Sequence, residues 1–154
     1  MTTRTTTMTT FETLIEELGQ ILEIPLKAEK ETVCKISVGG AIDVQIEQRD
    51  GVISIASFLA ELPPGAFREE ALIQALKFNH DEQNKEVFSY ISKKQTLALE
   101  VTLPESVSAG ELSTSLKRLI ETGTLWKDAI DLGNLTAVTK QASSGLISPI
   151  HLQP

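Results

Sequence analysis

An α+β sandwich is the fold class this sequence predicts: three helices packed on a twisted antiparallel sheet in the order α-β-β-β-α-β-β-α. Three observations predict it. Apolar residues recur at helical spacing near both ends of the central region, from Phe11 to Leu22 and from Leu112 to Ile130. Between them, apolar and polar residues alternate with a period of two. Asp50-Gly51, set between two such alternating runs, is a strong signal for a two-residue hairpin. At 154 residues the chain is expected to hold one domain with one core.

The first helix is expected over Thr10–Glu23. Phe11, Leu14, Ile15, Leu18, Ile21 and Leu22 fall on one face, Thr9 with Glu12 fits a capping box, and Pro25 stops the run. Three strands follow. Cys34, Ile36 and Val38 alternate with polar residues up to Gly39-Gly40. Ile42, Val44 and Ile46 alternate with Asp43, Gln45 and Glu47, and the third strand covers Val52 to Leu59.

The second helix begins after Leu62-Pro63-Pro64, where proline suits a first turn, and stops near Asn79. His80 to Glu86 reads as a polar loop. Strands four and five are Val87–Ile91 and Thr96–Leu103. Ser108 with Glu111 forms a second capping box, and the helix after it presents Leu112, Leu116, Leu119, Ile120 and Ile130 to a core.

Outside this domain, placed at 9–130, the ends differ in composition. Seven of the first ten residues are threonine, so residues 1–8 read as a disordered arm. Residues 131–154 carry only Asp131 and Lys140 as charges and read as a loosely ordered tail docking through Leu146, Ile147 and Ile150.

The hairpin fixes which residues share a face. A two-residue loop at Asp50-Gly51 sets Arg49 opposite Val52, Glu47 opposite Ser54, Ile46 opposite Ile55 and Ile42 opposite Leu59. Directly opposed residues lie on one face of a sheet. Ile42, Val44 and Ile46 therefore line the core with Ile53, Ile55 and Leu59. The other face of strand two is polar, yet that of strand three carries Val52, Ala56 and Phe58, an apolar stripe beside a solvated neighbour. Exposed apolar patches mark interaction sites. At Gly39-Gly40 burial favours a three-residue loop, Gly39 to Ala41, which sets Val38 opposite Ile42 and Ile36 opposite Val44.

Composition excludes several functions. Fourteen basic against 21 acidic residues leave a net charge of −7, which argues against nucleic-acid binding and against docking on an anionic membrane. The longest apolar run, Val52 to Ala60, is too short to span a bilayer. A single cysteine and no apolar leader in MTTRTTTMTT point to an intracellular chain without a secretory signal. There is no phosphate loop, no nucleophile elbow and no metal-ligand spacing around His80 or His151, so no enzyme activity, cofactor or metal is expected. Cys34 reads as a small core residue and Trp126, late in the third helix, as a core aromatic. Helix two carries more apolar residues than one stripe needs, because Phe67, Ile73 and Phe78 widen it beyond a core-facing set. That surplus predicts a dimer.

The pattern resembles the class I type III secretion chaperones, the Tir-chaperone-like family, over about residues 10–130. The resemblance rests on Phe11 through Leu22, on Val33 to Val38 before a glycine turn, and on the third strand entering Leu62-Pro63. It continues in Ala75-Leu76-Lys77-Phe78-Asn79, in Leu103-Pro104 and in Trp126. The turn Ser92 to Gln95 departs from it by lacking Gly or Asp.

The resemblance implies a small cytoplasmic bacterial protein without enzymatic activity. Such a protein binds the N-terminal region of a secreted effector or secretion-apparatus protein in extended form. It also implies a dimer, with itself or with a related subunit, through the second helix and the fourth and fifth strands, which adds Val87 and Ile91 to Phe67, Ile73 and Phe78. Helix one enters the effector groove by the same resemblance, which adds Ile15 and Leu22 to Val52, Ala56 and Phe58. The alternative is a regulatory or sensing domain of the same architecture that binds a small ligand or a regulated protein. An enzyme using His80 with Asp81 or Glu82 is a distant third.

Overall fold

The computed structural model describes residues 10–39 and 42–139. Its elements are α1 (Thr10–Leu22), β1 (Val33–Val38), β2 (Ile42–Arg49), β3 (Val52–Glu61), α2 (Ala66–His80), β4 (Val87–Ile91), β5 (Thr96–Pro104) and α3 (Ala109–Leu132). The expected order is the observed one. The five strands form one antiparallel sheet in the order β1-β2-β3-β5-β4.

Asp50 and Gly51 both take positive φ, 51° and 82°, as a two-residue hairpin turn requires. Arg49 pairs with Val52, Glu47 with Ser54 and Ile46 with Ile55. On the other side of β2, Val38 pairs with Ile42 and Ile36 with Val44, so the loop between β1 and β2 has three residues. Beyond Gln45 opposite Ala56, the Ser57 hydroxyl donates to the Asp43 carbonyl at 2.6 Å, and the β3–β5 register shifts between Phe58 and Ala60.

The helices share one side of this sheet. The core face carries Cys34, Ile36, Ile42, Val44, Ile46, Ile53, Ile55, Leu99 and Val101, all buried. A Cβ at Gly123 of α3 would lie 3.0 Å from Ile42 Cδ1 and 3.1 Å from Leu59 Cδ2, so the missing side chain lets α3 sit close on the sheet. Phe78 of α2 meets Phe88 of β4 edge-on at 4.9 Å, and Trp126 of α3 lies 4.3 Å from the Phe88 ring. This three-ring cluster joins both helices to the end of the sheet. α1 packs on α3 in the same layer.

The capping box of α3 is formed: Glu111 N–H donates to Ser108 Oγ and Ser108 N–H to Glu111 Oε1, both at 3.1 Å. Thr9 of the other expected box lies outside the described residues, as do residues 1–8 and 140–154 with Leu146, Ile147 and Ile150. The boundary expected at 130 falls inside α3, which ends at Leu132 with Gly133 in the left-handed conformation (φ 68°). Leu135 and Val138, beyond that turn, are buried with the core. The first residues of the expected tail therefore belong to the packed domain.

Candidate functional site

The opposite face of the sheet is covered by no helix among the described residues. Period-two alternation puts Lys35, Asp43, Gln45, Glu47, Val52, Ala56, Phe58, Ala98, Glu100 and Val87 there. Ser54, Ala56 and Ala98 are too small to fill it, and hollows remain between the longer side chains. One, of about 400 Å³, lies over β1, β2 and β3 and is lined by Lys35, Ser37, Asp43, Gln45, Ala56 and Phe58. A second, of about 230 Å³, lies over β2, β3, β5 and β4 and shares Gln45, Ala56 and Phe58 with the first.

Phe58 stands between the hollows and is 56% exposed. Phe58 pairs with Ala98, next to the register shift between Phe58 and Ala60 that interrupts the β3–β5 ladder. Lys94 Nζ rests 5.0 Å from the ring, a cation on an aromatic face. Around it, Glu47 Oε1 faces Arg49 Nη2 at 3.9 Å and the Gln45 amide at 3.5 Å, while Ser54 Oγ donates to Glu100 Oε2 at 2.6 Å. The arrangement is an apolar floor with fixed polar groups at intervals, suited to gripping an extended chain.

Val52 and Ala56 share this face of β3 with Phe58, both half-buried. Ala56 lines both hollows beside Phe58, whereas Val52, at the far end of the strand, lines neither. Ile15 does not join them. It is 1% exposed, inside the core, because α1 turns that side toward α3. Leu22 is half-buried against the same core. The helix-one part of the expected groove thus lies in the helical layer, on the other side of the sheet from Phe58. Among the described residues, the large apolar side chains that this end of the chain does expose are Ile21 and Ile24.

The second expected surface also changes membership. Phe78 is buried under Trp126 and Phe88, and Phe67 is half-buried on the same stripe as Ala71 and Ala75. The surplus of α2 is instead Ile73, 52% exposed, and Leu76, 67% exposed. Leu76, which the sequence did not single out for this surface, points to solvent. Val87 is exposed on β4, and Ile91 is half-buried.

The remaining candidates are structural. Cys34 is fully buried, and burial, reinforced by the Glu29 carboxylate, pushes its thiol pKa up. His80 ends α2 as an exposed residue, while Asp81 Oδ1 accepts from Gln83 N–H at 2.9 Å and so shapes the following turn. Among the described residues no group of three or more His, Cys, Asp or Glu is placed to hold a metal ion. None of the described helices is long and apolar enough to cross a membrane.

Helices on one side of an antiparallel sheet, with the other side open and partly apolar, define a small binding module. The family comparison makes the class specific: the chain belongs to the Tir chaperone protein (CesT) family, whose model matches residues 13–127. A comparison with curated protein sequences gave no match. Among solved structures, the HopA1-SchA chaperone–effector complex is similar at a TM-score of 0.64 and 16% identity, over 78% of this chain and 94% of that one. The ExsC-ExsE complex is similar at 0.64 and 13%, over 76% and 90%. YbjN from E. coli, solved as a candidate transcription regulator, is similar at 0.57 and 13%, over 81% and 96%. At such identities the likeness is one of fold.

Proposed function

We propose that this protein is a cytoplasmic, non-enzymatic type III secretion chaperone. It binds the N-terminal region of a secreted effector, or of a secretion-apparatus protein, in extended form on the open face of its sheet. The observation that carries this reading is the exposed Phe58, set between two hollows floored by small residues on the only sheet face that no described helix covers. Membership of a chaperone family supports it, and similar folds have been solved with an effector bound. The protein acts as a dimer, through Ile73 and Leu76 of α2 with Val87 of β4. All three are exposed apolar residues that the monomer leaves unused.

The test is co-expression with N-terminal segments of proteins encoded beside its gene, read as co-purification and cargo solubility. Burying one phenylalanine against cargo supplies roughly 1.5–3 kcal/mol, about ten- to a hundred-fold in affinity. Phe58→Glu is therefore expected to lose cargo while keeping its fold and its dimer. Unchanged affinity in a folded Phe58→Glu protein places the site elsewhere. Capture of a small ligand, with no secreted segment bound, would favour the regulatory alternative.

A further inference from the structure

An apolar stripe alone accepts any hydrophobic strand, but the second hollow of the open face adds a charge. Glu100 of β5 lies in a row running across four strands, Gln45–Ala56–Glu100–Val87. Its side chain is half-buried, and Ser54 Oγ donates to it at 2.6 Å. Among the described residues no Lys or Arg lies within ion-pair distance of it. The nearby Arg49 is engaged with Glu47 instead.

A partly desolvated carboxylate accepts several hydrogen bonds and gains most from a charged donor. One neutral hydroxyl leaves most of that capacity unused. Beside Glu100 the hollow is apolar at Ala56, Phe58, Ile91 and Ala98, and the rest of its wall is polar. There Glu47 and Arg49 face each other, so that with Glu100 the lining carries a net negative charge. At about 230 Å³ the hollow is smaller than a typical small-molecule site and of the order of one long side chain. An apolar wall ending at an unpaired carboxylate matches Arg or Lys, whose stem packs on apolar surface while its head stays polar. The net charge of −7 draws basic segments to the molecule in the first place.

We infer that this hollow selects a cationic side chain, arginine or lysine, from the bound segment, with its head on Glu100 and its stem along Phe58 and Ile91. The inference rests on the open face being the binding surface. In an extended segment alternate side chains face the sheet. The recognised pattern is thus a basic residue with an apolar residue two positions away, seated where Phe58 and Ala56 border the first hollow.

Panning the full-length protein against a display library of random dodecapeptides tests this. The expected result is enrichment of that pattern, with Glu100→Gln binding the enriched peptides about tenfold more weakly. Glutamine keeps the volume and the oxygen that accepts from Ser54, so the fold is retained. A readout on the peptide side needs no variant protein: replacing the peptide's basic residue by Glu must weaken wild-type binding more than replacing it by Gln. Enrichment of apolar peptides with no basic preference, or equal loss from the Glu and Gln peptides, overturns the inference. It leaves the open-face reading intact provided Phe58→Glu abolishes binding. Peptides indifferent to Phe58→Glu, or no enrichment at all, overturn the open-face reading and this inference with it.

Discussion

The side-chain amide of Asn79 pairs with both backbone groups of Phe88: Nδ2 donates to the Phe88 carbonyl at 2.9 Å, and the Phe88 N–H donates to Oδ1 at 2.8 Å. β4 is a terminal strand of the sheet, so the amide does there what a sixth strand would do. It ties the end of α2 to the sheet and occupies the edge of β4 at that position. At Phe88 the edge of β4 is therefore closed to continued strand pairing.

Asn79→Ala leaves two backbone groups of a buried residue without these partners. The expected cost is about 1–3 kcal/mol, measured by thermal unfolding followed through Trp126, the single tryptophan. Asn79→Asp is also expected to destabilise, because it keeps an acceptor for the N–H but turns an oxygen toward the carbonyl. Stability equal to wild type in both variants would show that the pairing contributes nothing.

Leu76→Asp, alone or with Ile73→Asp, is expected to give a folded monomer. Both side chains face solvent in the isolated chain, so the substitutions remove no core packing. Each buried apolar side chain is worth roughly 1.5–3 kcal/mol in an interface, about tenfold or more in dimer affinity. Light scattering at micromolar concentration reads the outcome. A wild-type protein already monomeric there sinks the dimer.

Cys34 is expected to resist thiol reagents in the native protein, because the thiolate is the reactive form and burial raises the thiol pKa. The same shift has a stability consequence. Below about pH 8.5, the value for an unfolded chain, the thiol is protonated in both states and the stabilisation is complete. As pH rises toward the higher folded value, only the unfolded state ionises and stability falls. Cys34→Ala is expected to cost roughly 1 kcal/mol in packing and to lose that part of the alkaline decline. Rapid labelling, or identical alkaline profiles, would contradict it.

Gln95, in the turn between β4 and β5, adopts φ 50°, a left-handed conformation that glycine takes without strain. After allowing for the greater freedom of glycine in the unfolded chain, Gln95→Gly is expected to stabilise by about 0.5–1 kcal/mol. Lys93→Gly, at an exposed position of the same turn with no positive φ to relieve, serves as the control in the same thermal unfolding experiment.

The hairpin at Asp50-Gly51, the faces of β2 and β3 and the cap of α3 were legible because each is decided by residues close in sequence. A turn that needs two positive φ angles sets a register, and a period of two carries that register along both strands. Family membership was legible for a related reason, since it rests on the order and spacing of such local signals. Tertiary packing decided the rest. α2 is apolar around much of its circumference, so no stripe in its sequence says that Phe78 turns inward and Leu76 outward. Contact with Phe88 and Trp126 chooses. Ile15 is buried because α3 lies against α1, and Phe58 stays exposed because every described helix lies on the other side of the sheet. Glu100 was not singled out at all. Its Ser54 partner lies 46 residues away in sequence and reaches it only through the pairing of β3 with β5. Local chemistry writes faces and turns into a sequence, whereas the meeting of distant residues depends on which faces pack together, and that is settled only by the folded whole.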